Sequence, residues 1–200
     1  ARDMLSSYNV VAFAVSWAGS QDATLDSIFS DSLKYLDYVN QGGGLFIEQP
    51  NPYTIPGNQI TIPILPVPVT FNNGYIRTDT VIIVDPTHPI TKDLSWEGMP
   101  FPGDQVKNLD SSYHVLAKGR QTNSPGLFVT EYGKGKILLH MAHHSPGAIW
   151  PISDEVFNRM LEWTAGDVTS SLNQSAQLVS TFELSQNYPN PFNPATQISY

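Results

Sequence analysis

The 200-residue chain contains no cysteine and has few basic residues. Without cysteine it can form neither disulfide bonds nor thiolate metal sites, and it has no cysteine nucleophile. Ten residues are Lys or Arg and 18 are Asp or Glu, which gives a formal net charge of −8 at pH 7. Because nucleic-acid binding depends on basic side chains that neutralise phosphates, this balance argues against a nucleic-acid partner.

Long apolar runs are also absent from the sequence. A membrane-spanning helix needs about 20 consecutive apolar residues, and no segment approaches that length, so we expect no membrane span. Charged residues make up only 14% of the chain, whereas hydrophobic residues make up 40%. This composition predicts a folded domain with a substantial core and a mostly neutral, hydrogen-bonding surface.

The first fifty residues have the pattern of a strand, a helix and a second strand. Residues 9–16 form a nearly continuous apolar run, typical of a central parallel strand, and residues 45–48 form another. Between them, the glycines at 42–44 end a predicted helix that runs from about residue 25 to residue 40. This order predicts a βαβ unit with parallel strands. The predicted core face of the helix consists of Leu25, Ile28, Phe29, Leu33, Leu36 and Val39.

The rest of the chain continues the alternation after a proline-rich insertion. Residues 50–79 contain six prolines, and proline cannot donate to a strand ladder, so we expect an edge strand or a long ordered loop there. Residues 81–85 predict a third core strand, and residues 127–132 and 136–142 predict two strands joined by a glycine turn. A closing helix is predicted over residues 154–165, with Gly166 as its stop. Its apolar face consists of Val156, Phe157, Met160, Leu161 and Thr164.

In this order the segments resemble the class I glutamine amidotransferase-like superfold. They look most like its non-catalytic branches in sugar-related proteins and in the trimerisation domains of some β-galactosidases. The resemblance covers roughly residues 5–166 of a domain that we place at residues 1–166. It implies an α/β fold with a doubly wound, mostly parallel, flavodoxin-like sheet. It also implies a strand and a helix ahead of residue 9, so we expect the chain to begin inside this domain.

The position of the family's nucleophile is occupied by other residues in this chain. Catalytic members of the superfold carry Cys or Ser directly after the strand that follows the glycines, where this sequence reads Glu48-Gln49-Pro50. A nucleophile elbow also needs small neighbours, which Pro50 does not provide. We therefore do not expect the amidotransferase reaction.

The end of the chain, residues 182–200, follows a polar linker at residues 167–181 and carries a proline-rich motif. The motif consists of Tyr188, Pro189, Asn190, Pro191, Phe192, Asn193 and Pro194. This segment resembles the start of a C-terminal sorting domain of the type IX secretion system of Bacteroidetes. The resemblance implies a partial all-β module, secretion or display on the outer cell surface, and the type IX secretion machinery as a partner.

Polar residues that follow the predicted strands are the candidates for chemistry. Glu48, His143 and His144 could form the polar core of a hydrolase, because strand ends are where sites form in open α/β sheets. Asp85 and His88 could join them on one rim. The alternative is structural: the histidines would bind loop carbonyls, and Asp85-Pro86 and His88-Pro89 would form turns. We expect no cofactor and no metal.

Candidate ligand-binding residues are mostly aromatic and lie in or beside predicted loops. Such side chains suit sugar stacking or a protein partner, although they could equally cover the ends of the sheet as part of the core. They are Trp17, Tyr53, His88, Trp96 and Trp150, and Phe101 is a further aromatic residue of this kind.

The sequence therefore predicts a non-catalytic binding or assembly module of a secreted or cell-surface bacterial protein. Its partner at the surface would be a glycan or a protein, and it could form homo-oligomers. Two alternatives remain open at this point. One is a hydrolase acting on glycans or peptides, and the other is a subunit of an extracellular polymer that adds a strand to its neighbour.

Overall fold

The computed structural model describes residues 5, 7–14, 30–48, 59–72, 79–95, 105–107, 109–141 and 154–166. The chain divides into two compact units, Ala1–Asp167 and Val168–Tyr200. All described residues belong to the first unit, so the linker and the sorting motif lie outside them. None of the helices in the described ranges is both long enough and apolar enough to cross a membrane.

The first unit contains a six-stranded sheet and a smaller three-stranded sheet. The large sheet has the order β1-β2-β9-β8-β7-β5, and β1, β2, β9 and β7 run in one direction. The small sheet is antiparallel, with the order β3-β4-β6. The elements are β1 Val10–Ala14, α1 Ser32–Asn40, β2 Gly44–Glu48, β3 Gln59–Ile62, β4 Val69–Asn72, β5 Val81–Ile83, β6 Gln105–Lys107, β7 His114–Gly119, β8 Pro125–Tyr132, β9 Gly135–His140 and α2 Asp154–Thr164.

Three parallel strands form the centre of the large sheet. β1 pairs with β2, and β2 pairs with β9, with Phe13 opposite Ile47 and Ile47 opposite Leu139. Every residue of β2 is buried, as its uninterrupted apolar run predicts for a strand covered on both faces. The parallel β1–β2 pair confirms the predicted βαβ unit, and the β8–β9 hairpin confirms the two strands predicted around the glycine turn.

The two described helices cover opposite faces of this sheet. Tyr35 of α1 packs edge-on against Phe13, with ring centroids 5.2 Å apart. Phe157 of α2 contacts Phe46, at 5.7 Å. Because side chains alternate along a strand, Phe46 points to the face opposite that of Ile47 and its register partner Phe13. Glu48 therefore shares the α2 face with Phe46.

Two glycines set the close approach of the helices to the sheet. A Cβ at Gly44 would lie 2.2 Å from the carbonyl oxygen of Thr164, so only glycine lets the end of α2 rest on β2. Gly42 has φ +115° and ends α1 in a conformation that side chains rarely adopt. Both observations agree with the predicted helix ends, and Gly166 stops α2 with φ +81°.

Two expectations need correction, and one strand was not predicted. Leu33 is 79% exposed and does not belong to the core face of α1, whose buried residues are Tyr38 and Val39. Residues 81–85 do not form a central strand, because β5 covers only three residues and lies at the edge of the sheet. Its antiparallel neighbour β7 was not predicted, since its sequence mixes His, Lys and Gly with apolar residues.

The described part of the proline-rich insertion forms strands of the second sheet. β3 and β4 make an antiparallel hairpin, in place of a single edge strand or an irregular loop. Its connection is tied to the main domain by Tyr113, whose hydroxyl donates to the carbonyl of Val67 at 2.5 Å. Burial raises the pKa of Tyr113 above its ordinary value, so the hydroxyl keeps its proton. Four side chains of this segment are buried: Ile62, Ile64, Leu65 and Val69.

Candidate functional site

The carboxyl ends of the central strands bring a carboxylate and an imidazole side by side. Glu48 ends β2 and His140 ends β9, and the two residues are register partners on neighbouring parallel strands. Their side chains share the α2 face, and both are buried, with 4% and 1% of their surface exposed. In open α/β sheets this edge is where ligands bind.

Most of the predicted site residues lie beyond the described part of the chain. His143 and His144 follow β9 within residues 142–150, which are outside the described residues. The same holds for the aromatic candidates Trp17, Tyr53, Trp96 and Trp150, for Phe101, and for Gln49-Pro50. Among the predicted residues, Glu48, Asp85 and His88 can be placed.

Asp85 and His88 lie in a second group, which is centred on the end of α2. The carboxylate oxygen Oδ2 of Asp85 is 3.1 Å from Nε2 of His114, at the start of β7. The ring of His88 packs edge-on against His114 at 5.8 Å and against Trp163 of α2 at 5.3 Å. The ammonium of Lys136 lies 5.0 Å from the centre of the Trp163 ring. We refer to these five residues as the His88 cluster.

The loop after β5 is shaped by its own side chains. Asp85 Oδ1 accepts hydrogen bonds from the backbone N–H and the hydroxyl of Thr87, at 2.8 and 2.7 Å. Thr91 donates its hydroxyl back to the carbonyl of Asp85. Arg159 of α2 donates to the carbonyl of Lys92. The Asp-Pro and His-Pro pairs therefore form turns, as the structural alternative predicted, and these turns hold His88 against α2.

The surroundings of the cluster lower the pKa values of both Asp85 and His88. The lower pKa favours the charged form of Asp85 and the neutral form of His88. The hydroxyl and N–H of Thr87 lower the pKa of Asp85, and His114 lowers it further, so this carboxylate stays ionised. Burial lowers the pKa of His88, as do the neighbouring His114 and Lys136, while Asp85 acts the other way. His88 is therefore neutral at pH 7.

The two groups do not converge on one rim. His114 is opposite Val129 of β8, which is opposite Leu138 of β9, so His114 and β9 are two strand spacings apart, or about 10 Å. Lys136 precedes His140 by four residues, which is about 13 Å along a strand. The expectation that Asp85 and His88 would join Glu48 and the strand-end histidines is wrong for Glu48 and His140.

A cleft of about 250 Å³ opens at the other end of the parallel strands. It lies between the chain leading into β1 and the end of α1, with Tyr8, Lys34, Asp37 and Gln41 in its lining. Tyr38 donates its hydroxyl to the carbonyl of Tyr8 there, at 2.9 Å. Glu48, Asp85 and His88, the predicted site residues that the structure describes, do not line this cleft.

Within the described ranges, no group of three His, Asp or Glu residues is arranged to hold a metal ion. For the His88 cluster, the tautomer of His88 gives a physical reason why this side chain does not bind a metal ion. The N–H of Ile90 donates to Nδ1 of His88 at 3.3 Å, so the neutral ring carries its proton on Nε2. Neither nitrogen then offers a lone pair to a cation.

No family model matches the sequence, and none of the curated proteins is detectably similar to it. Solved structures do match. A cytoplasmic protein of Salmonella typhimurium superposes with a TM-score of 0.56 at 17% identity, covering 82% of this chain and 74% of its own. A ThuA-like protein of Parabacteroides merdae gives 0.50 at 16%, covering 81% and 72%. A Thermoplasma acidophilum protein assigned to GMP synthase gives 0.53 at 11%, covering 86% and 80%.

The fold is amidotransferase-like. This agrees with the resemblance drawn from the sequence, and with its flavodoxin-like α/β sheet. Sequence identities this low establish the fold alone, so the chemistry of these proteins does not transfer to this chain.

Three members of the His88 cluster were not found from the sequence. His114 was overlooked because β7 was not predicted, and Trp163 and Lys136 were assigned only to a helix and a strand. One signal was present. Lys136 begins a strand and Trp163 ends the closing helix, and in an amidotransferase-like fold these two elements pack together.

Proposed function

We propose that the α/β domain is a non-catalytic binding or assembly module of a bacterial protein that the type IX secretion system exports to the cell surface or the medium. One observation carries the non-catalytic part. The strand end that holds the nucleophile in catalytic relatives holds Glu48 here, and only 4% of its surface is exposed. A carboxylate in that environment is poorly placed to attack a substrate.

The export part rests on the sequence of residues 182–200, which supplies the sorting motif. The low content of charged residues supports a surface that recognises its partner by hydrogen bonds and aromatic contacts. On this proposal the partner is a glycan or a protein at the cell surface. The chain contacts the secretion machinery only during export.

A binding and turnover panel tests the non-catalytic proposal. The purified chain is incubated with glycans and peptides, and retention and product formation are measured for the wild type, Glu48→Gln and His143→Ala. We expect one ligand class to be retained without product. Product formation that is lost in both variants would overturn the proposal.

A secretion assay tests the export route. The segment that begins at residue 167 and contains the sorting motif is fused to a reporter in a host that has a type IX system. We expect the reporter in the medium or on the surface, and retention when Pro189, Pro191 and Pro194 are replaced by Ala. Periplasmic retention of the unaltered fusion would contradict the proposal.

A hydrolase is the second candidate, and the Glu48–His140 pairing favours it. A buried carboxylate beside an imidazole at the carboxyl edge of a parallel sheet is an arrangement that can move protons. The panel above separates the two functions, because only the hydrolase requires product that disappears with Glu48→Gln.

Assembly is tested by the size of the particle in solution. Light scattering after size exclusion measures the molar mass over a concentration series. A mass that rises above 22.1 kDa with concentration supports assembly or the polymer alternative, and a constant monomer mass excludes both.

A further inference from the structure

The His88 cluster gathers hydrogen-bond donors that no part of the described chain satisfies. The neutral ring of His88 carries its proton on Nε2, since Nδ1 accepts from Ile90. In the described residues no acceptor lies within hydrogen-bonding distance of His88 Nε2, of the indole N–H of Trp163 or of the ammonium of Lys136. These donors come from a loop, a helix and a strand, and the ring of His88 and the ammonium of Lys136 lie 5.3 and 5.0 Å from the centre of the Trp163 ring.

The charge at this point is unusual for the molecule. Lys136 is one of only ten basic residues in a chain with a net charge of −8, and no carboxylate of the described residues forms an ion pair with it. Its cross-strand partner is Glu131, on the same face of the sheet. Asp85, the other acid nearby, already bonds Thr87 and His114.

The cluster is open to a ligand. His114 is exposed, with 55% of its side-chain surface accessible, while His88, Lys136 and Trp163 are half-buried. Donors at a partly dehydrated site bind an acceptor more strongly than donors in bulk water, because the local dielectric constant is lower.

We propose that the His88 cluster binds an oxyanion group of a ligand, a carboxylate or a phosphate ester. Lys136 supplies the positive charge, and His88 Nε2–H donates a hydrogen bond. The indole of Trp163 forms the wall beside the carbon skeleton that carries the anion. This site is separate from the strand end at Glu48 and does not depend on the export route.

The titration of His88 gives the proposal a second consequence. Burial lowers the pKa of His88, and His114 and Lys136 add to the effect, whereas Asp85 opposes it. A bound anion acts in the same direction as Asp85 and raises that pKa. Binding then takes up a proton, so the affinity increases as the pH falls. The carboxylate of Glu131 on β8, opposite Lys136, repels the anion.

The experiment is a titration of the full chain with inorganic phosphate, methyl phosphate and acetate at pH 6 and pH 8. The imidazole resonances of His88 and His114 are followed by NMR. We expect saturable shifts of the His88 signals, at least tenfold weaker binding in Lys136→Met, and tighter binding in Glu131→Gln. Acetate stays ionised at both pH values, so the tighter binding at pH 6 is expected for acetate. Comparison of methyl phosphate with acetate identifies the anion class.

Lys34→Met is the matched control, because Lys34 lies on α1 at the other face of the sheet and pairs with Asp31. It should bind as the wild type does. The proposal is overturned if none of the three anions shifts the His88 signals. It is equally overturned if Lys136→Met binds as tightly as Lys34→Met while retaining the wild-type spectrum elsewhere.

Discussion

Asp79 is a buried carboxylate that holds a loop in place. It is 1% exposed and accepts hydrogen bonds from the backbone N–H groups of Thr80, Gln121 and Thr122 and from the hydroxyl of Thr122, at 2.6 to 3.0 Å. Burial alone would raise the pKa of Asp79, but these hydrogen bonds outweigh it and lower the pKa. The side chain therefore remains ionised and fixes the turn between β7 and β8.

Replacing Asp79 by Ala should destabilise the domain by about 3 kcal/mol, because buried N–H groups lose their acceptor. Urea unfolding monitored by circular dichroism measures this loss. Asp110→Ala is the control, since Asp110 is exposed and its carboxylate bonds only Ser112 among the described residues. Equal midpoints for the two variants would show that the Asp79 network contributes little.

His88 should make the stability fall as the solution is acidified. Its folded-state pKa lies below the ordinary value of 6.5, so the unfolded chain binds a proton more readily. The contribution is fully present above pH 6.5 and is lost as the pH falls towards the folded-state pKa. Unfolding free energies measured between pH 5 and pH 8 should decline less in His88→Gln, and parallel curves would contradict this assignment.

At the scale of elements, the packing of α2 depends on the missing side chain of Gly44. In Gly44→Ala the new methyl group would meet the carbonyl of Thr164 at 2.2 Å, so the helix must shift, at a cost of about 1–3 kcal/mol. Thermal unfolding measures the loss. In a background whose other three tryptophans are replaced by Phe, the fluorescence of Trp163 reports whether the helix has moved. An unchanged melting temperature would mean that the helix adapts freely.

The variant Gly166→Ala measures the cost of backbone strain without the steric clash that a side chain at Gly44 creates. Nothing lies within 4 Å of a Cβ at Gly166, but its φ is +81°. The expected cost is about 1 kcal/mol from the left-handed conformation alone. Trp163 fluorescence should stay as in the wild type, and a shift as large as that of Gly44→Ala would contradict the distinction.

The sequence predicts those elements whose pattern is set by local chemistry. Residues 9–16 and 45–48 are apolar enough to indicate buried strands, and Gly166 marks the end of α2 correctly. β7 is different, because its strand state comes from pairing with β5 and β8, which the local pattern does not encode. For β5 the strand was predicted, but its position at the edge of the sheet depends on the same pairing.

The candidate site was only partly predictable for the same reason. Glu48 and His140 could each be placed at a strand end, whereas their adjacency depends on the order β2-β9, which skips six intervening strands. His88 was identified as a candidate, but its neighbours His114, Lys136 and Trp163 come from three separate elements. Only the topology brings them together.

For the whole molecule, the net charge of −8 works against polyanions even though one site attracts a single oxyanion. We expect no saturable binding of duplex DNA at low or physiological salt, measured by fluorescence polarisation with a basic DNA-binding domain as positive control. Salt-sensitive, saturable binding would show that the His88 cluster extends into a larger basic surface, contrary to the residue distribution.

The pairing of β2 with β9 has a consequence for the order in which the chain folds. These neighbours in the centre of the sheet are roughly ninety residues apart in the sequence. During synthesis, β2 is complete long before its partner exists, and contacts of such long range make folding slow. On the export route proposed above, slow folding favours translocation, because the chain is still unfolded when it reaches a translocation pore.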